Sequence, residues 1–240
     1  MSADKKSDFE SLLASELRAA TLKNISEAGK SLSEKEPWIM KKIRSAASRY
    51  YMDESKIVKA AKSHEYALAT LSKRPNAQNF YENFVRAYIG NIRGVHKLEK
   101  PDSLFIQDNG TILSKESYKD SGGQVPESTK SIDFTWQYNE VRIYAAHKYT
   151  GESGGMQDNQ RSELERFIKN ANNFSGSYQG ARTFLLALCD GPYYDQPRAR
   201  GESRLVKMQS LCQGAAVWAL PSWELEDWLR EKFGEPESSE

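Results

Sequence analysis

A chain of 240 residues with 38% hydrophobic and 28% charged side chains has room for one large domain, or for a domain with a helical extension. Lys and Arg total 34 against 33 Asp and Glu, and the resulting net charge of +1 excludes a globally basic nucleic-acid coat, so any affinity for DNA must come from local patches. No run of 18 apolar residues is present and MSADKKSDFE has no apolar signal core, so neither a membrane helix nor a secretory leader is expected, and the expected compartment is cytoplasmic.

The first hundred residues read as helical. Asp8 to Lys30 carries Phe9, Leu12, Leu13, Leu17, Ala20 and Leu22 at near-helical spacing, with Gly29 as a stop. Glu36-Pro37 opens a second helix with Trp38, Ile39, Ile43, Ala46 and Ala47 on its apolar side. Its Lys41, Lys42, Arg44 and Arg49 suit a solvated face or phosphate contact. Asp53 caps a third helix that runs through His64 to Leu71, and Arg74-Pro75-Asn76 turns into a fourth, Ala77 to Ile92.

After Lys100-Pro101 the pattern changes. Leu104 to Gln107 and Thr111 to Leu113 are short strands around Asp108-Asn109-Gly110, and Ser121-Gly122-Gly123 is a loop. Next, SIDFTWQYNEVRIYAAHKYT alternates with a period of two, Ile132, Phe134 and Trp136 on one face and Asp133 and Thr135 on the other. With Asn139-Glu140 as a two-residue turn, Tyr138 faces Val141. Counting back, Asp133 faces Ala146, with Lys148 two positions further on that face. Gly151 to Gly155 is a loop and Gln157 to Ala171 a helix with Leu164, Phe167 and Ile168 inward. Gln157, Asn159 and Arg161 at its start suit adenine, guanine or phosphate contact, or plain N-terminal capping.

Thr183 to Cys189 is a continuous apolar strand for the middle of a sheet, closed by Asp190-Gly191-Pro192. Tyr193 to Lys207 is broken by Gly and Pro and locally basic, and reads as a loop that wraps a groove through Arg198, Arg200, Arg204 and Lys207. Ala215 to Leu220 is another buried strand, and Trp223 to Phe233 a C-terminal helix whose tryptophans are core or dimer contacts. Cys189 and Cys212 stand singly in apolar surroundings and are expected as buried thiols, without zinc spacing to His64, His96 or His147. No phosphate-binding glycine loop or serine–histidine constellation is evident.

Asp133, with Ala146-x-Lys148 on the next strand, resembles the PD-(D/E)xK nuclease superfamily, type II restriction endonucleases in particular, and HKYTGESGGMQDNQ is similar to the segment after their catalytic strand. The resemblance covers Ser131 to Gln160 well and the rest only as an order of elements. It implies catalytic positions Asp133, Ala146 and Lys148. It also implies Mg²⁺ held by Asp133, by the backbone carbonyl of His147 and by a second acid, with Lys148 assisting the attacking water. The family has an acid where this chain has Ala146. Either the chain is an inactivated variant, or the acid has moved to the following helix, where Glu163 is the first choice and Glu152 the second. Glu82, on a helix before the hairpin, is a further acid that related nucleases place near the metals. The expected architecture is α/β, a central mixed sheet flanked by helices (a restriction-endonuclease-like core) with a helical N-terminal region. The expected division is 1–100 helical, 101–233 nuclease-like and 234–240 a flexible acidic tail. A homodimer cutting a short palindrome in double-stranded DNA is the expected assembly. The alternatives are a non-catalytic DNA-binding protein with a decayed site and an interaction protein without nucleic acid.

Overall fold

A computed structural model describes residues 2–73, 77–120, 131–151, 155–197 and 201–236, with side chains described from residue 4 and not at 77–78, 118 and 155–160. It divides into two compact units, Ser7–Phe80, and Met1–Lys6 with Tyr81–Glu240.

The Ser7–Phe80 unit is helical: it holds α1 (Ser2–Ser33) from Ser7 onward, α2 (Pro37–Tyr50), α3 (Glu54–Ser63) and α4 (Glu65–Leu71). Pro37 sits in the first turn of α2, where its missing N–H is no loss, and Asp53 caps α3 by accepting from Ser55 N at 2.7 Å. Ile39 and Ile43, one turn apart on α2, pack with Ala28, Leu32, Ala61 and Leu71 into one buried cluster. The single helix expected from Asp53 to Leu71 is two. His64 is extended (φ −137°, ψ 120°), and its carbonyl accepts from Leu68 N to start α4.

The larger unit is α/β. After α5 (Ala77–Gly90) come β1 (Val95–Glu99), the hairpin β2 (Leu104–Ile106) and β3 (Ile112–Ser114), α6 (Lys115–Asp120), β4 (Phe134–Tyr138), β5 (Val141–Tyr149) and α7 (Gly155–Ala171). Then follow β6 (Ser177–Tyr178), β7 (Ala181–Asp190), the short α8 (Pro192–Asp195), α9 (Arg204–Leu211), β8 (Val217–Leu220), a 3-10 turn at Ser222–Glu224 and α10 (Leu225–Phe233). The central sheet runs β1-β4-β5-β7-β6, with β8 also on β7. β1, β4 and β5 are antiparallel neighbours, whereas β5, β7 and β8 run parallel. The parallel step requires a crossover. α7 supplies it, burying Leu164, Phe167, Ile168 and Ala171 at helical spacing over β5, β7 and β8. This is the mixed sheet flanked by helices, with a helical N-terminal region, that the order of elements implies.

Three expectations change. Val95–Glu99 lies inside the stretch read as helical, yet it pairs with β4; sheet pairing overrides a five-residue segment too short to carry a period. Gly234, assigned to the tail, accepts from Tyr138 Oη at 3.0 Å, and residues 237–240 lie outside the described residues. Tyr193 to Lys207 is not one loop: α8 opens it and α9 closes it, with the Ser203 side chain capping α9 at Val206 N.

β5 and β7 are tied where both end. Thr150 N donates to Asp190 O at 2.8 Å, and a Cβ on Gly191 would stand 2.2 Å from Thr150 O with φ at +100°. Gly191→Ala is therefore expected to lower stability by about 1–3 kcal/mol, read as a shift in denaturation midpoint; an unchanged midpoint contradicts the close approach.

The two cysteines are unpaired thiols, Cys189 fully buried. Burial pushes Cys189 well above the ordinary thiol range and Cys212 up from 9.0 to about 12. The folded chain thus holds the Cys212 proton more tightly than the unfolded chain. Its contribution to stability is complete below pH 9 and is lost as the pH rises towards 12. At pH 8 both thiols are expected to react with a thiol-specific disulfide reagent at least about a hundredfold slower than free cysteine, until denaturant is added.

Candidate active site

The β4–β5 hairpin has the register derived from its turn. Tyr138 pairs with Val141, Gln137 with Arg142, and so on to Phe134 with Ala145. Asn139, at the turn, takes a left-handed backbone (φ 50°), which asparagine tolerates. Pairing stops one residue short of the site. Asp133 N donates to Ala145 O at 2.8 Å instead of continuing towards Ala146. The Asp133 carboxylate then does what a main-chain acceptor would have done: Oδ2 accepts from His147 N at 2.7 Å. The expected opposition of Asp133 and Ala146 is thus replaced by a carboxylate lying beside the Ala146–His147 peptide. One residue earlier, Ile132 N donates to Leu104 O of β2 at 2.9 Å, so the chain is paired with a different hairpin where it leaves this ladder.

Ala146 and Asp133 are both buried, Ala146 completely. Lys148, two residues on, shares the face of Ala146 by strand alternation. Its Nζ meets Glu163 Oε2 of α7 at 2.8 Å, with Lys148 12% and Glu163 34% exposed. A lysine so enclosed needs a counter-charge, and α7 delivers it.

The other face of β5 holds a network that the sequence did not announce. His147 Nε2 lies 3.1 Å from Asp190 Oδ2; the same oxygen accepts from Ser222 Oγ at 2.6 Å, and Oδ1 accepts from Ser222 N at 2.8 Å. All three residues are fully buried. The aspartate is central and the serine touches it rather than the histidine, so this is a structural junction of β5, β7 and the turn before α10, not a nucleophile relay. His147 Nδ1 finds no hydrogen-bond partner among the described residues. The available sequence signal was Asp190 itself, an acid ending an otherwise apolar strand.

Of the expected DNA-contacting residues, the structure describes the side chains of Arg161, Arg204 and Lys207, and the first two meet at Tyr193. Arg161 pairs with Glu165 one turn along α7 at 3.1 Å and reaches the Tyr193 hydroxyl at 3.5 Å. Arg204 lies over the Tyr193 ring, 4.2 Å from its centroid, and donates to Gln196 Oε1 at 3.1 Å; Lys207 is on α9 with no ion pair among the described residues. Arg198 and Arg200 lie outside the described residues, as do the side chains of Gln157 and Asn159 and all of Glu152. Glu82 is paired with Lys100 at 3.1 Å.

As to metal, the described residues contain no group of three or more His, Cys, Asp and Glu poised to hold an ion. Asp133 and Glu163 are nevertheless the right donors for a hard cation. Mg²⁺ keeps most of its waters and takes one or two protein carboxylates with substrate phosphates, so a third ligand is not required.

No protein family matches the chain, and no curated protein does. Among solved structures, the crystal structure of the small subunit of a heterodimeric restriction endonuclease aligns over 66% of this chain and 72% of that one, with 13% identity and a TM-score of 0.28. No helix among the described residues is long and apolar enough to cross a membrane.

Proposed function

We propose that the chain is a type II restriction endonuclease, a Mg²⁺-dependent hydrolase of phosphodiester bonds at a short sequence in double-stranded DNA, with the second acid supplied by Glu163. The observation that carries this reading is the 2.8 Å contact between Lys148 and Glu163, which brings a carboxylate from α7 to the strand that follows Asp133. Asp133 and Glu163 would hold the ion, with the His147 carbonyl as a further oxygen. When bound, Mg²⁺ supplies charge neutralisation at the scissile phosphate and lowers the pKa of a water. Lys148 orients that water and stabilises charge developing on the phosphate. The Asp133 carboxylate is held against the His147 N–H, so its geometry is set before substrate arrives. A homodimer matches the two-fold symmetry of a palindromic site.

One observation favours the second reading, a non-catalytic DNA-binding protein with a decayed site: Ala146 is completely buried and offers no ligand. Plasmid digestion with Mg²⁺ separates them, using the chain as it stands, Glu163→Ala and Ala146→Glu. Discrete fragments from the unaltered chain, lost in Glu163→Ala, are the expected result. Fragments from Ala146→Glu alone would return the missing acid to position 146 and make this chain the inactivated form. Cutting by none leaves the DNA-binding reading, whose mark is a log affinity for duplex that falls linearly with log salt.

A further inference from the structure

A depression of about 330 Å³ opens on the same face of the sheet as Lys148, further back along β5, and the site described above does not use it. Its floor is Thr135 and Gln137 of β4 with Arg142 and Tyr144 of β5, which are cross-strand partners. One wall is β1, with Lys97 and Glu99; the other is the β6–β7 turn, with Tyr178 and Gln179. One wall is built on an irregular strand and the other on a tight hairpin turn. Lys97 has φ 51° at an irregularity that shifts the β1 register between His96 and Glu99, and Gln179 has φ 52° ahead of Gly180 at 75°. A bulge of this kind re-aims side chains at a sheet edge, whereas the positive φ of Gln179 and Gly180 is what the two-residue turn between Tyr178 and Ala181 requires.

The chemistry of the walls is specific. Tyr144 and Tyr178 meet edge to face, centroids 5.6 Å apart at 84°, so a flat ring lying on one phenol meets the rim of the other. Burial and the neighbouring Tyr144 raise the Tyr178 phenol, which stays a neutral donor. Gln137 and Gln179 offer amides that pair with base edges, and Arg142, 3.3 Å from Gln179 Oε1, joins Lys97 as a cation for phosphate. Glu99 is the one acid among the described lining residues and suits an exocyclic amino group or a sugar hydroxyl. Among the described residues Lys97 and Glu99 have no ion pair. The volume is at the small end of ligand pockets and admits a single unit rather than a length of strand.

We propose that this depression binds one nucleoside monophosphate unit, its base against Tyr178 and its phosphate between Lys97 and Arg142. The unit is either a free nucleotide or a nucleotide displaced from a DNA duplex. The inference uses the nuclease reading only in naming DNA as a source.

The test is calorimetric titration of the whole chain with each of the four deoxynucleoside 5′-monophosphates, with inorganic phosphate and the matching deoxynucleosides as controls. Saturable binding of at least one nucleotide is expected, with phosphate alone weaker by about tenfold or more. Arg142→Ala and Tyr178→Ala should each weaken binding by roughly tenfold. Lys97→Ala removes an exposed side chain without an ion pair, so it keeps the test open if the other variants fail to fold. No binding by any nucleotide, phosphate as tight as nucleotide, or full affinity in all folded variants would overturn the proposal. A duplex with one unpaired nucleotide separates the sources. Tighter binding than to its perfect counterpart, abolished by Tyr178→Ala, assigns a displaced nucleotide; equal binding of the two duplexes, with free nucleotide bound, assigns a soluble one. Nucleotide binding without plasmid cleavage would sink the nuclease reading alone, and cleavage without nucleotide binding would sink the pocket alone.

Discussion

Lys148→Ala is expected to lower the rate of plasmid cleavage by about 10²–10⁴-fold while duplex affinity changes by no more than a few-fold. The side chain is 12% exposed and held 2.8 Å from Glu163, so it is oriented before substrate binds and acts on the charge that develops at one phosphate. A positive charge that merely attracts DNA would change affinity and its salt slope instead. The two roles therefore separate in one experiment that measures single-turnover cleavage and binding on the same preparation. Loss of affinity with unchanged single-turnover rate would remove Lys148 from the chemistry. The substitution also leaves Glu163 without its partner, but that carboxylate is 34% exposed and remains hydrated, so the fold should tolerate the change.

Asp190→Ala carries the largest expected effect on stability, on the order of 3–5 kcal/mol, or roughly 10 °C in melting temperature. Three donors or partners converge on its two oxygens: Ser222 N, Ser222 Oγ and His147 Nε2, all at zero exposure. Removing the carboxylate leaves each of these polar atoms buried without a partner, which is worse than replacing the whole network by apolar groups. Asp190→Asn can keep some of the hydrogen bonds and should fall between the two. A melting point for Asp190→Ala within 2 °C or so of the parent would show that the junction of β5, β7 and the turn before α10 is held by packing alone. Because His147 N also holds the Asp133 carboxylate, folded Asp190 variants should lose cleavage more than duplex binding.

The hairpin was legible because its cause is local. A period of two, a polar two-residue break and bulky apolar residues on one face determine both the strands and their pairing. The long apolar run at β7 and the helical spacing of Leu164, Phe167 and Ile168 on α7 were legible for the same reason, and together they imply a crossover between parallel strands. β1 was not legible. Val95–Glu99 has no burial alternation of its own and becomes a strand because β4 presents an open edge. The helix α9 was hidden by the glycine, proline and charge around it, although Ser203 is an ordinary cap once its partner at Val206 N is seen.

By itself the sequence determined the elements whose signal repeats within a few residues: α1, α2 and α5 among the N-terminal helices, the β4–β5 register, and the position of Lys148 on the face of Ala146. Only the tertiary structure decided where Asp133 points: its carboxylate accepts from His147 N, while the neighbouring Ile132 N donates to Leu104 O, 28 residues earlier in a separate hairpin. It likewise decided that Glu163 meets Lys148, that Asp190 joins His147 to Ser222, and that Lys97 and Gln179 stand on opposite sides of one depression. These are contacts between elements distant along the chain. Side-chain periodicity fixes which face a residue occupies, while the packing of one element on another fixes what that face meets.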